Sequence, residues 1–148
     1  MIRVLIADDH PVVRQGLKLI LTGDAGISIV AEAGNSGEIF SMLDKHEVDV
    51  LLMDIHMPGR TGLELLPELK QHFPKVPVLI LSQYPEDQMA VRAIKAGAAG
   101  YVTKGAAPSE LIDAIRRVNN GRRYLTPTLA ELLADSLESK NEFPHQAL

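Results

Sequence analysis

Three carboxylates stand where apolar runs of the sequence end, in a pattern that favours chemistry on phosphate groups. Asp8 and Asp9 follow the run 2–7, and Asp54 follows a second run, 48–53. An apolar run that stops at acids is typical of a buried strand with carboxylates at its carboxyl end, the edge where open α/β sheets bind ligands. Converging carboxylates repel each other unless a cation lies between them or one stays protonated. A hard divalent cation such as Mg²⁺ resolves this most simply and indicates phosphate chemistry.

Length, charge and composition narrow the class of protein. The chain has 148 residues and a formal net charge of -4, which favours one domain with a short appendage and gives no basic surface for nucleic acid. It has no cysteine, which excludes disulfides and thiolate chemistry. Its apolar stretches are too short to span a membrane, and Asp8, Asp9 and His10 interrupt the first of them. We therefore expect a cytoplasmic protein with no membrane partner.

Short apolar runs alternate with amphipathic segments along most of the chain. Strands are predicted at 2–7, 27–33, 48–53, 76–81 and 99–102, and helices are predicted at about 11–22 and 62–72 and after the starts 35–36, 85–87 and 108–110. Five strands that alternate with five helices predict an α/β fold, a doubly wound parallel sheet covered on both faces.

The last part of the sequence differs from this alternating pattern. Residues 1–122 form the predicted domain, and 123–148 are predicted to be a linker with a helix at about 128–137. That helix carries Leu132, Leu133 and Leu137, which need cover from the domain or from a second copy of the chain. The pattern leaves both arrangements open.

The order of these motifs resembles the receiver domain of two-component response regulators. The resemblance covers residues 2 to about 120 and rests on motifs that each end a predicted strand. They are Asp8-Asp9-His10-Pro11, Asp54 with Met57-Pro58-Gly59 and Gly62 after it, Ser82, and Tyr101-Val102-Thr103-Lys104. The resemblance implies a flavodoxin-like sheet with the strand order 2-1-3-4-5 and a phosphorylation-activated switch.

The resemblance also implies roles for residues at the sheet edge. Asp54 is the implied phosphoacceptor, which takes its group from a phosphohistidine on a sensor histidine kinase and becomes an acyl phosphate. Asp8, Asp9, Asp54 and the backbone carbonyl of His56 are the implied ligands of Mg²⁺, which neutralises charge on the transferring group. Lys104 is implied to contact the phosphoryl oxygens as a point charge.

Two further residues are implied to report the phosphorylated state. The Ser82 hydroxyl would donate to the phosphoryl group and draw the loop after the fourth strand inward, and the Tyr101 ring would follow. The resemblance also implies that the chain is not an enzyme beyond self-catalysed phosphotransfer and autodephosphorylation. His10, beside Pro11 at a helix start, is interpreted as structural.

The positions around Ser82 depart from the commonest receiver pattern. Gln83 replaces a small residue, and Tyr84 and His56 occupy positions that tune phosphoryl lifetime in the family. We expect these bulky side chains to slow attack by water on the acyl phosphate.

Further stretches resemble the NarL/FixJ (LuxR-type) transcriptional regulators. They are residues 8–16, 31–34, 97–104 and 121–125. In that group a linker leads to a helix-turn-helix domain, and 144–148 lie where it would begin. The resemblance implies a homodimer that binds DNA only through that C-terminal domain, which is absent from this sequence.

Two other functions compete with the signalling switch. A magnesium-dependent phosphatase of the haloacid-dehalogenase type also uses a strand-end aspartate and a lysine. It requires a second acid two residues after the nucleophilic aspartate, where this chain has His56. A pseudo-receiver would bind partners without phosphorylation, and the presence of Asp8, Asp9, Asp54 and Lys104 argues against it.

Overall fold

The computed structural model describes residues 1–58, 60–83 and 88–142, with side chains up to residue 137. Its strands form one parallel sheet in the order β2-β1-β3-β4-β5, which confirms the predicted fold. The strands are β1 (Ile2–Ala7), β2 (Ile27–Ala33), β3 (Val50–Asp54), β4 (Val78–Ser82) and β5 (Gly100–Thr103). The helices are α1 (Pro11–Thr22), α2 (Ser36–Lys45), α3 (Gly62–His72), α4 (Gln88–Lys95), α5 (Pro108–Asn119) and α6 (Pro127–Glu142).

Buried side chains lie on both faces of the sheet. Alternate residues of β1 belong to opposite apolar clusters, with Val4 and Ile6 in one and Leu5 and Ala7 in the other, as the two-residue period of a strand requires. The first cluster includes buried side chains of α1 and α5, and the second includes those of α2, α3 and α4. Helices on both faces explain why the central strands are apolar without interruption.

Three strands extend further toward their carboxyl ends than the sequence pattern predicted. The predicted ends at residues 53, 81 and 102 become Asp54, Ser82 and Thr103. Parallel pairing with a neighbouring strand extends these strands by one residue, because Asp54 lies opposite Leu81 and Ser82 lies opposite Thr103. Asp54 and Ser82 are therefore the last residues of paired strands.

The tail of the chain packs against the domain. The Tyr124 N–H donates to the Ala99 oxygen at 2.9 Å, and Tyr124 forms an isolated parallel bridge with Gly100. A Cβ on Gly100 would lie 2.9 Å from the Tyr124 oxygen, so this close approach requires glycine. Leu129 is fully buried, and α6 contacts α4. Of the two arrangements left open above, the described part of the tail packs on its own domain.

The sixth helix is longer than predicted, since it spans Pro127–Glu142 where the pattern predicted about 128–137. The Leu129 N–H donates to Thr126 Oγ1 at 3.2 Å, the bond expected of a side chain that caps a helix start. The predicted domain boundary at 122 stays a prediction, and residues 144–148 lie outside the described part of the chain. No helix among the described residues is long and apolar enough to cross a bilayer.

We predict that Leu129→Ala lowers the free energy of unfolding by about 3 kcal/mol, because it leaves a cavity in the core. Urea unfolding of the full chain followed by circular dichroism measures this loss. Leu137→Ala is the matched control in the same helix, since Leu137 is 55% exposed and its truncation should cost less than about 0.5 kcal/mol. Equal effects of the two substitutions would show that the tail does not pack on the domain.

Candidate functional site

A lysine and two aspartates meet at the carboxyl edge of the sheet. Asp8 directly follows β1, Asp54 ends β3, and Lys104 directly follows β5. The Lys104 Nζ atom lies 3.0 Å from Asp8 Oδ2 and 3.2 Å from Asp54 Oδ2. Asp9 belongs to the same group of acids, because one ligand atom from each of Asp8, Asp9, His10 and Asp54 lies within 4.8 Å of the others. The structure thus brings together all four charged residues that the sequence singled out.

Backbone hydrogen bonds fix the direction of both buried carboxylates. Asp8 Oδ1 accepts the His10 N–H at 2.8 Å, and Asp54 Oδ1 accepts the His56 N–H at 3.2 Å. Each carboxylate therefore closes a turn with the residue two positions later, as aspartate commonly does after a strand. The other oxygen of each side chain is left to face Lys104.

The loop after β3 is held tightly against the end of that strand. The Gly62 N–H donates to the Ile55 oxygen at 2.7 Å, and a Cβ on Gly62 would lie 3.1 Å from the Ile55 Cα. Thr61 and Glu64 form a reciprocal capping box that starts α3 directly after this contact. The glycine and the cap together close the loop that leaves Asp54.

The two predicted switch residues are buried. Ser82 ends β4 and is fully buried, and its carbonyl accepts the Lys104 N–H at 2.6 Å. The Tyr101 ring is fully buried in the cluster that includes α4 residues. His56 and Gln83 are exposed, and Tyr84 lies outside the described residues. The expected effect of these three residues on phosphoryl lifetime stays a prediction.

The family model for the response regulator receiver domain matches residues 4–116. The chain belongs to this family.

Curated relatives agree with the family match. The response regulator UvrY of Escherichia coli (strain K12) is 39% identical over 150 aligned positions, which cover 100% of this chain and 69% of UvrY. The response regulator GacA of Pseudomonas viridiflava is 41% identical over 134 positions, 90% of this chain and 63% of GacA. The resemblance to receiver domains stated from the motifs is confirmed.

Solved structures give the same result. A two-component response regulator of the LuxR family from Aurantimonas sp. SI85-9A1 superposes with a TM-score of 0.83 at 34% identity, covering 90% of this chain and 96% of that one. The isolated receiver domain of RcsB from Salmonella enterica serovar Typhimurium, solved with the phosphomimetic BeF3-, superposes with a TM-score of 0.80 at 28% identity, covering 89% and 98%. This receiver domain therefore has relatives among the LuxR-type regulators, as the motifs indicated.

Burial and charge give the two inner acids of the receiver site different pKa values. Asp54 is 4% exposed, and burial raises its pKa above the ordinary 3.8, helped by the charge of Asp8 and opposed by the His56 N–H and Lys104. Burial acts in the same direction on Asp8, but the His10 N–H and Lys104 outweigh it and hold the Asp8 pKa below 3.8. The ionised form is therefore the costly one at Asp54 and the favoured one at Asp8.

Lys104 is held in its charged form by the two acids. Burial lowers its pKa, but the hydrogen bond and charge of Asp8 and the charge of Asp54 outweigh burial, so the pKa lies above the ordinary 10.5. One ammonium cannot neutralise three carboxylates, so the edge keeps an excess of negative charge that favours a further cation.

The donor set fits Mg²⁺. Asp8 Oδ2 is paired with the Lys104 ammonium at 3.0 Å. Asp9 Oδ1 is also buried, lies 3.0 Å from His10 Nδ1 and accepts no hydrogen bond within the described structure. Buried carboxylate oxygens that lack an aligned donor are costly unless a cation binds them. Carboxylate oxygens are also the ligands that Mg²⁺ prefers. The residues present therefore fit the ion that the family implies.

Two side chains next to Asp8 were missed as part of the site by sequence reasoning. The His10 ring, interpreted as structural, lies with Nδ1 3.1 Å from Asp8 Oδ1 and 3.0 Å from Asp9 Oδ1. Arg14 donates to the Asp8 carbonyl and forms an ion pair with Glu32 at 3.2 Å. The spacing of Arg14, one turn after His10 on a predicted helix, is a signal that could have placed it near the acids.

We predict that Asp54→Asn raises the free energy of unfolding of the metal-free protein at neutral pH by on the order of 1 kcal/mol, a common scale for single substitutions. Since the folded-state pKa of Asp54 is raised, its charge destabilises the fold as pH rises through that pKa, while Lys104 keeps Asp8 as its partner. Urea unfolding with EDTA at several pH values measures the difference, which should shrink as pH falls toward the ordinary pKa of 3.8 and vanish well below it.

Asp49→Asn is the control, and its effect on the free energy of unfolding should have the opposite sign. Arg3 lowers the pKa of Asp49 through a side-chain hydrogen bond, so the Asp49 carboxylate stabilises the fold above 3.8 and loses that effect as pH falls through its lowered pKa. Destabilisation by Asp54→Asn at neutral pH would contradict the charge balance described here.

Proposed function

We propose that Asp54 of this receiver domain accepts a phosphoryl group from a phosphohistidine on a sensor histidine kinase. The observation that carries the proposal is the contact of one ammonium, that of Lys104, with both Asp54 and Asp8. This places a fixed positive charge beside the carboxylate that would react, where the transferring group would bring its negative oxygens.

The transfer requires little beyond placement and charge. An Asp54 oxygen attacks phosphorus, the P–N bond to the kinase histidine breaks, and the imidazole leaves with the electron pair. The product is an acyl phosphate on Asp54. Lys104 donates to the phosphoryl oxygens, and the His56 N–H keeps the carboxylate in line. Mg²⁺, bound by Asp8, Asp9, Asp54 and the His56 carbonyl, would supply neutralisation of the phosphoryl charge.

The buried positions of Ser82 and Tyr101 support a switch that responds to the new group. In this proposal the Ser82 hydroxyl donates to the phosphoryl group, and the Tyr101 ring follows the inward shift of the loop after β4. The phosphoryl group can shift two states only by the difference in its contacts with each. A difference of about 3 kcal/mol changes their ratio roughly 150-fold.

The wider role of the chain follows its relatives. We propose a cytoplasmic homodimer that controls transcription through a helix-turn-helix domain C-terminal to residue 148. One solved relative consists of two RcsB dimers bound to two parallel DNAs, with 27% identity and a TM-score of 0.78. That relative supports the proposals that this chain forms dimers and acts on DNA. The packing of α6 on α4 supports a linker that starts on the domain surface.

The two competing functions have less support. Membership of the receiver family does not favour a phosphatase of the haloacid-dehalogenase type, and His56 occupies the position of the second acid that such enzymes use. A pseudo-receiver has no need of the contacts that Lys104 makes with two acids.

We predict that the chain gains the mass of one phosphoryl group when it is incubated with Mg²⁺ and phosphoramidate. Intact-mass spectrometry measures the gain, and hydroxylamine should remove it, because it cleaves acyl phosphates. Asp54→Asn should abolish the gain, whereas Asp44→Asn, a change of an exposed acid in α2, should leave it intact. No gain in the wild type would favour the pseudo-receiver, and steady release of phosphate from esters would favour the phosphatase.

We predict that Ser82→Ala still binds the phosphomimetic BeF3- but responds less to it. The lost hydroxyl removes the bond that connects the phosphoryl group to the end of β4, so amide shifts in α4 and at Tyr101 should fall to less than about half of the wild-type changes. Nitrogen-15 NMR of the full chain measures them. Ser109→Ala, an exposed serine of α5, is the control, and a wild-type response in Ser82→Ala would exclude this route.

A further inference from the structure

The His10 side chain faces the acid cluster. His10 precedes the first residue of α1, where a side chain often caps the helix, but its ring makes no capping hydrogen bond. Nδ1 lies 3.0 Å from Asp9 Oδ1 and 3.1 Å from Asp8 Oδ1, and the side chain is 62% exposed. The ring is therefore at the rim of the site, open to solvent on one side and in contact with two acids on the other.

The backbone holds His10 in this place from both directions. Its N–H donates to Asp8 Oδ1 at 2.8 Å, and its carbonyl accepts the Arg14 N–H at 3.1 Å, the first bond of α1. Pro11 then fixes the backbone of the next residue. Because the His10 backbone is fixed on both sides, only the side-chain torsions must be ordered to keep the ring in contact with the acids.

The spacing of the ring and the acids suits adjacent ligands of one ion. In an octahedral site with bonds of about 2.1 Å, neighbouring ligand atoms lie roughly 3.0 Å apart, and opposite ones roughly 4.2 Å. The distances from Nδ1 to the two carboxylates match the first value, and the four ligand atoms lie within 4.8 Å of one another. The buried Asp9 Oδ1, which accepts no hydrogen bond within the described structure, is an oxygen that a cation at this place would bind.

We propose that His10 Nδ1 is a side-chain ligand of the cation, so that this site prefers a first-row transition ion such as Mn²⁺ over Mg²⁺. The inference rests on the metal site of the proposed function. Imidazole nitrogen binds transition ions well, whereas Mg²⁺ favours oxygen and keeps its waters. A site with three carboxylates and one imidazole therefore gains more affinity for Mn²⁺ than for Mg²⁺.

Two measurements on the full chain test this proposal. Isothermal titration with MnCl2 and MgCl2 gives the ratio of the two dissociation constants for the wild type, His10→Ala and His10→Gln. The preference for Mn²⁺ should fall about tenfold in both variants, the lower end of the range for losing a group that supports a metal. Pulsed electron paramagnetic resonance of bound Mn²⁺ should show coupling to a directly bound nitrogen-14 nucleus, lost in both variants.

Controls separate this proposal from the proposed function. His46→Ala removes an exposed imidazole from the residue directly after α2, whose backbone N–H and not its ring caps the helix, and should change neither readout. Asp9→Asn should weaken both ions. If Asp9→Asn weakens both while His10→Ala leaves the ratio and the nitrogen coupling unchanged, the metal site stands and the His10 proposal fails. Tighter binding of both ions in His10→Ala would also overturn it, because the ring would then act as a competing positive charge.

Discussion

The Lys104 ammonium lies between Asp8 and Asp54, and the rest of the site depends on that contact. Asp8 follows β1 and Asp54 ends β3, whereas Lys104 follows β5, two strands away from β3 across β4. Neighbouring strands are about 4.8 Å apart, so a group from β5 must cross roughly 10 Å to reach Asp54. Only a long side chain that leaves the end of its strand can do this. The position of β5 in the sheet therefore decides whether the Lys104 ammonium can reach Asp54.

The Lys104 contact neutralises only part of the negative charge of the site. Lys104 favours the ionised form of Asp8, but it does not prevent burial from raising the pKa of Asp54. A lysine that satisfied every acid would leave no electrostatic reason to bind a cation or a phosphoryl group. An incomplete balance instead keeps negative charge in a buried place, at a cost to the stability of the free protein. The pairing of Asp54 with Leu81 at the end of β3 keeps the Asp54 carboxylate in place despite that cost.

The sequence pattern predicted the strands and the charged residues at their ends, and the resemblance to receiver domains implied the strand order. Details that depend on contacts between distant segments could not be predicted. The ends of β3 and β4 were misplaced by one residue, because the pairing of Asp54 with Leu81 and of Ser82 with Thr103 is a property of register. The leucine pattern of α6 is equally compatible with packing on the domain and with packing on a second copy of the chain. The direction of the His10 ring depends on the turn that Asp8 closes with the His10 N–H, and a neighbouring proline gives no sign of it.

The short strand β5 connects the charged edge to the tail of the chain. Its carboxyl end leads into Lys104, and Gly100 at its amino end binds Tyr124. As an edge strand of four residues, β5 has β4 on one side, and exposed edges of this kind are usually covered or shortened. The tail provides part of that cover, and it can approach only because residue 100 has no side chain. The position of the ammonium at one end of β5 and the packing of the tail at the other therefore depend on the same strand.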